Sequence, residues 1–223
     1  MTSTTRSQPL VEACCDSIAS ARIVQALGAG RVELCGLGDG GSTPSHGLIA
    51  RCRDALSVPM HVMIRPNTNT FVYTSEDLDI MCNDVVAARA LGADGIVFGI
   101  LHSDDTIDVQ RMAEVIAIAR PLKIAFHRAF DRTPNATHAM ASLLQLGVDF
   151  VLTAGQAPTA LDGAPRLQAL QQQAGDKLTV LAGGGVRGHN VRDVVAKSGV
   201  REVHARASDP TIVRDVLLAL AGA

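Results

Sequence analysis

Short β-branched or apolar runs recur along the chain about every 21 to 35 residues. They read "LVEACC", "RVELCG", "MHVMIRP", "GIVFGIL", "KIAFHRAF", "FVLTAG", "TVLAGGG" and "REVHARA". Between them, stretches such as "SEDLDIMCNDVVAARALG" and "DVQRMAEVIAIARPL" place apolar residues at three- and four-residue steps, the spacing of one helix face. Strand and helix therefore alternate, which predicts an α/β fold around a parallel sheet. Ahead of every second run the chain reads "LGAGRVEL", "LGADGIVF", "LGVDFVLT" or "SGVREVHA". A glycine thus follows each of these helices where a left-handed C-terminal cap is wanted. Gly28, Gly92, Gly147 and Gly199 mark a repeat of two strand–helix units. Eight units in this length predict a single-domain TIM (β/α)8 barrel over residues 9–223, behind a flexible tail at 1–8. A flavodoxin-like open sheet is the competing architecture, because it needs only some of the strands.

The 223 residues are 47% hydrophobic, enough to bury a core without disulfides. Five Cys is an odd number, without paired spacing and with no secretory signal ahead of them, so reduced thiols in the cytoplasm are expected. No uncharged apolar run reaches membrane-spanning length, which argues against a membrane partner. A net charge of -2 offers no basic stripe for nucleic acid, and zero Trp with one Tyr, Tyr73, offers no stacking platform for bases.

Side chains alternate along a strand, and in this fold the outward face packs under helices while the inward face builds the site at the C-terminal ends. Val11 and Ala13 suit the outward face of the first strand, leaving Glu12 and Cys14 inward. The second strand repeats the pattern: Val32 and Leu34 out, Glu33 and Cys35 in. By the same rule Met63, Arg65, His127 and His204 point inward, and Thr153 is placed with them although both faces of its strand are apolar. Two buried carboxylates need cations or a ligand nearby. Arg65, His127 and His204 are the expected cations.

"GLGDGGSTPSHG" has the glycines of a close-approach loop but lacks the Gly-Lys-Ser/Thr of a nucleotide P-loop, so no nucleotide cofactor is expected. In "AGGGVRGHN", Gly183, Gly184 and Gly185 follow the seventh strand, where barrels of this kind often hold a phosphate; a tight turn accounts for them equally well. His46, His102, His138 and His189 fall in loops or on helix surfaces without zinc-ligand spacing. Cys52 and Cys82 read as core filler, and Cys15 should pack under a helix.

Taken in order, "LVEACCDS", "RVELCG", "GGSTPSHG", "MIRP", "FHRAFDR", "LTAGQ", "AGGGV" and "EVH" resemble the CutC copper-homeostasis family from about Leu10 to Ala207. The resemblance implies a TIM barrel, a cytoplasmic location, a homodimer and copper handling, with Cys14 and Cys35 as the metal positions. It also places Arg128 and Asp131 beside Glu12, Glu33, Arg65, His127 and His204 at the mouth. Two departures stand out: Asn67, Thr68, Asn69 and Thr70 replace the family's Arg-Gly-Gly-Asp turn, and Arg206 follows the last strand where the family tends to small residues.

Two readings of function follow. In the first, soft Cu(I) is held by thiolate, thioether and imidazole from Cys14, Cys35, Met63 and His127. In the second, the barrel is an enzyme acting on a small anionic or phosphorylated metabolite. Glu12 or Glu33 transfers a proton, Arg65 holds the anion, and His127 and His204 act as electrophile or acid. The cost of burying two charged carboxylates favours them over the thiols as carriers of function.

Overall fold

A computed structural model describes residues 8–36 and 41–222; residues 1–7 of the expected tail and part of the "GLGDGG" loop lie outside the described residues. The chain runs β1 Leu10–Cys15, α1 Ile18–Leu27, β2 Arg31–Leu34, α2 His46–Ala55, β3 Met60–Met63 and α3 Ser75–Ala90. It continues with β4 Gly95–Phe98, α4 Val109–Ala119, β5 Lys123–Phe126, α5 Ala136–Gln145, β6 Phe150–Thr153, α6 Ala164–Ala174, β7 Thr179–Ala182, α7 Val191–Ser198, β8 Glu202–Arg206 and α8 Pro210–Ala221. A 3₁₀ turn, Arg128–Arg132, lies between β5 and α5. The eight strands are parallel and close in sequence order, with β8 pairing back onto β1. That closure establishes the TIM barrel and rules out the open sheet.

The helices start and stop for local reasons. Ser17 caps α1 by accepting from Ser20 N, and Thr74 with Asp77 forms a capping box at the start of α3. Gly28, Gly92, Gly147 and Gly199 all have positive φ, the left-handed turn that lets each helix hand over to the next strand. Helix α3 buries Met81, Val85 and Ala88, a stripe at helical spacing.

The core has two compartments. The larger lies between strands and helices and takes Val11, Ala13, Val32, Leu34, Val62, Ile64, Ile124, Phe126, Val203 and Ala205, together with Cys15 and Cys52. Burying a Val, Leu or Ile side chain contributes about 1.5–3 kcal/mol, so this layer fixes the inward parity of the alternate residues. The smaller compartment fills the barrel interior with Cys14, Cys35, Met63, Val97 and Ala125, against Phe150.

Several strands are shorter than the apolar runs that announce them, because the last residues leave the ladder to build the mouth. The fifth run is the clearest: β5 ends at Phe126, and the His127 side chain accepts from Ala129 N to start the 3₁₀ turn.

Candidate functional site

The interior is polar on one arc, formed by β8, β1, β2 and β3. Strand register sets Glu12 beside His204 on one side and Arg31 on the other. Arg31 Nε donates to Glu12 Oε2, and Arg31 Nη2 donates to Glu202 Oε2 at 2.6 Å. His204 Nδ1 lies 2.9 Å from Glu12 Oε1, and His61 Nδ1 stands 3.9 Å from Oε2. The Arg31 guanidinium also sits 4.4 Å over the Phe150 ring.

The charges follow from this packing. Burial pushes the Glu12 carboxyl up, but Arg31 and His204 outweigh it and hold Glu12 well below the usual carboxylate range. Burial pulls His204 down, yet Glu33, Cys14 and Glu12 outweigh it and raise His204 well above its ordinary value. His61, pushed down to about 4 by burial against the pull of Glu12, is neutral.

Next to this network the two interior thiols meet. Cys14 Sγ and Cys35 Sγ are 3.6 Å apart, and Cys35 Sγ lies 3.4 Å from Glu33 Oε1. The hydrogen bond between the sulfurs, working against burial, holds Cys14 well below the ordinary thiol value; with burial it holds Cys35 well above. Cys14 is therefore the thiol of the pair held toward thiolate, beside His204. Burial pushes Glu33 up to about 8, and the neighbouring Cys14 charge adds to this against the opposing pull of His204. Among the described residues, Cys14, Glu33 and His204 bring one donor atom each within 4.8 Å of one another.

Arg65 and His127 also lie on the inner face, but they do not supply the cations expected of them. Neither forms an ion pair with Glu12 or Glu33 among the described residues; Arg31 and His204 do the pairing, with His61 nearby. Arg65 Nη2 instead donates to Thr68 O at 2.7 Å, so the uncharged turn Asn67–Thr70 orients the guanidinium without neutralising it. His127 is pushed down to about 3 by burial, with Arg65 adding to the effect, and is a neutral ring rather than a cation. The donor cluster contains His204 and Glu33, not His127.

The remaining expected residues form a different assembly. Thr153 does not face the interior: it shares parity with Val151 of the outer core, while Phe150 lies against the inner cluster. Its hydroxyl donates to Asp131 Oδ1, which also accepts from Ala154 N at 3.1 Å and Gln156 N at 3.0 Å. Arg128 Nε donates to Asp131 Oδ2 at 2.8 Å. Asp131 is thereby saturated as a clamp on the β6–α6 loop, where Gln156 holds a positive φ. Arg128 reaches the loop after β7, since a Cβ on Gly184 would lie 3.3 Å from its Cζ. Gly183 answers to packing: a Cβ there would meet Leu152 Cδ1 at 2.4 Å. Gly184 and Gly185 have φ of 102° and 71°, so the turn itself requires them.

Arg31, His61 and Glu202 were not singled out by sequence reasoning. Each sits two residues before an inward residue that was, Glu33, Met63 and His204, so carrying the same alternation one step toward the strand start finds all three.

The CutC family profile matches residues 9–209, the whole barrel as far as the start of α8. The chain belongs to the CutC family. A protein of Chromobacterium violaceum named as a CutC family protein is 42% identical to it over 199 residues, 89% of this chain and 81% of that one. A Homo sapiens protein named copper homeostasis protein cutC homolog is 40% identical over 199 residues, 89% of this chain and 73% of that one. The crystal structure of the CutC protein from Streptococcus agalactiae matches this barrel with a TM-score of 0.84 at 30% identity. The match covers 88% of this chain and 97% of that one. Among the described residues of this CutC chain, no helix is long and apolar enough to cross a membrane.

Proposed function

We propose that this CutC barrel binds Cu(I) as cargo on Cys14 and Cys35, with His204 at the edge of the site. The observation that carries the reading is the 3.6 Å separation of two free interior thiols, one of them held toward thiolate. Cu(I) is soft and takes thiolate and imidazole ahead of carboxylate. Met63 lies in the same interior cluster as both thiols. The relatives named for copper homeostasis support the same reading. A reducing, cytoplasmic setting and a homodimer belong to it as well, the first supported by the free state of Cys14, Cys15, Cys35, Cys52 and Cys82.

The electrostatic case for the carboxylates weakens once their partners are known. Glu12 has its charge matched by Arg31 and His204, and Glu33, raised to about 8, stands mainly neutral at pH 7. Neither acid is an unmatched charge in need of a reacting ligand. Acid/base chemistry on a small anionic metabolite remains the alternative use of Glu12, Glu33, Arg65, His127 and His204.

The deciding experiment is an anaerobic Cu(I) competition titration against a strong chelator. Wild type and Glu33→Gln are expected to bind, and the double variant Cys14→Ser with Cys35→Ser to lose binding. Wild-type protein that does not compete for Cu(I), or a double variant that competes as well as wild type, overturns the reading.

A further inference from the structure

Arg65 Nε and His127 Nε2 are buried polar atoms without a hydrogen-bond partner among the described residues, and the buried Tyr73 Oη has only the Arg65 guanidinium beside it. They belong to one cluster at the barrel mouth, carried by the ends of β3 and β5 and by the β3–α3 connection. Arg65 Cζ stands 4.5 Å over the Phe71 ring, and His127 meets the same ring edge-on with centroids 4.9 Å apart. The Arg65 charge acts on both the Tyr73 phenol and the His127 imidazole. Tyr73 and His127 are 3% and 4% exposed.

Each of these groups still has a donor to offer, although the Tyr73 oxygen can also accept from Arg65. Arg Nε only donates. His127 Nδ1 accepts from Ala129 N at 3.3 Å, so the proton of the neutral ring sits on Nε2, which therefore donates. The Tyr73 hydroxyl keeps its proton, because burial outweighs Arg65 and holds the phenol above its ordinary range. Asp77, the acid whose charge reaches Tyr73, is already engaged with Thr74 in the capping box of α3. Among the described residues Arg65 makes no ion pair, and its contact through Thr68 O is to a neutral carbonyl. A buried donor left unpaired costs about 1–3 kcal/mol. Several of them beside one cation suit an acceptor-only group with negative charge.

The geometry points to an oxyanion-binding subsite at Arg65, Tyr73 and His127, which takes the carboxylate or phosphate of a small organic anion. Entry requires the half-buried Phe71 ring to swing from between Arg65 and His127. The subsite is separate from the thiol pair and does not rest on the copper reading.

The protein carries its own probe, since Tyr73 is its single tyrosine and it has no tryptophan. Tyrosine emission of the full chain is titrated with sodium phosphate and, separately, with sodium acetate, at ionic strength held constant with sodium chloride. A saturable change with at least one of them is expected; a phosphate response assigns phosphoryl ligands, an acetate response carboxylates. Arg65→Met should weaken it at least about tenfold, and Arg65→Lys should not restore it, because a point charge lacks the Nε donor. The double variant Cys14→Ser with Cys35→Ser should respond as wild type does. If circular dichroism shows Arg65→Met unfolded, His127→Phe decides by the same titration, keeping a ring and removing the donor. No saturable change with either anion, or an undiminished response in the folded Arg65 or His127 variant, overturns the subsite. Either result leaves the Cu(I) titration to stand or fall by itself.

Discussion

His204 Nδ1 and Glu12 Oε1 lie 2.9 Å apart across the seam where β8 closes onto β1. The pair is in strand register and both side chains are largely buried, so one contact serves the closure of the barrel and the electrostatics of its interior. Through Glu12 the seam is tied on to Arg31 and from there to Glu202.

Removing the charge at the centre of this network should destabilise the fold. Glu12→Gln leaves Arg31 and His204 buried with one negative neighbour fewer. Breaking a buried pair in this way costs on the order of 3–5 kcal/mol. Urea denaturation followed by far-ultraviolet circular dichroism should show a lowered midpoint with an unchanged slope. A midpoint equal to wild type would show that the network does not support closure.

Glu33 gives a pH signature. Its carboxyl, raised from 4.5 to about 8, keeps in the folded state a proton that the unfolded chain releases. The stability this contributes is present below pH 4.5 and is lost as pH rises toward 8. Glu33→Gln cannot lose a proton, so its stability advantage over wild type should grow across that window and then level off. His61 and His127, lowered to about 4 and 3, act in the opposite direction below pH 6.5 in both proteins and cancel in the difference. Urea midpoints of the two proteins across a pH series measure it; a constant gap would mean that Glu33 is ionised throughout.

The thiol pair should be oxidisable. With the sulfurs 3.6 Å apart, a shift of about 1.5 Å brings them to disulfide length. Treatment with diamide, which takes up the two hydrogens released, should join Cys14 to Cys35 and leave Cys15, Cys52 and Cys82 as free thiols. Peptide mapping reads the linkage. Prior loading with Cu(I) should protect the pair, and an unprotected pair would place the metal elsewhere.

Gly183 should tolerate no side chain while Leu152 keeps its own. Gly183→Ala puts a Cβ 2.4 Å from Leu152 Cδ1, overpacking that costs about 1–3 kcal/mol. Shortening the neighbour in Gly183→Ala with Leu152→Val should recover much of the loss in thermal denaturation. A double variant no better than the single one would mean that the cost comes from the backbone of the turn.

What the sequence determined by itself is local. Apolar runs at strand spacing, helical stripes such as Met81, Val85 and Ala88, and glycines at the helix ends depend on near neighbours alone, and they specify eight alternating units. Parity is local too, which is why Glu12, Cys14, Glu33, Cys35, Arg65, His127 and His204 could be assigned to the inner face before any contact was known. Which charge meets which is decided across the barrel. Glu12 lies 19 residues from Arg31 and 192 from His204, and only the closure and stagger of the strands bring the three together. The same stagger leaves His127 beside Phe71 and Arg65 and away from the carboxylates. Thr153 shows the limit most plainly. With apolar residues on both faces of β6 the alternation has no polarity to read, and only the packing of Val151 into the outer core, with Phe150 against the inner cluster, shows which side Thr153 takes.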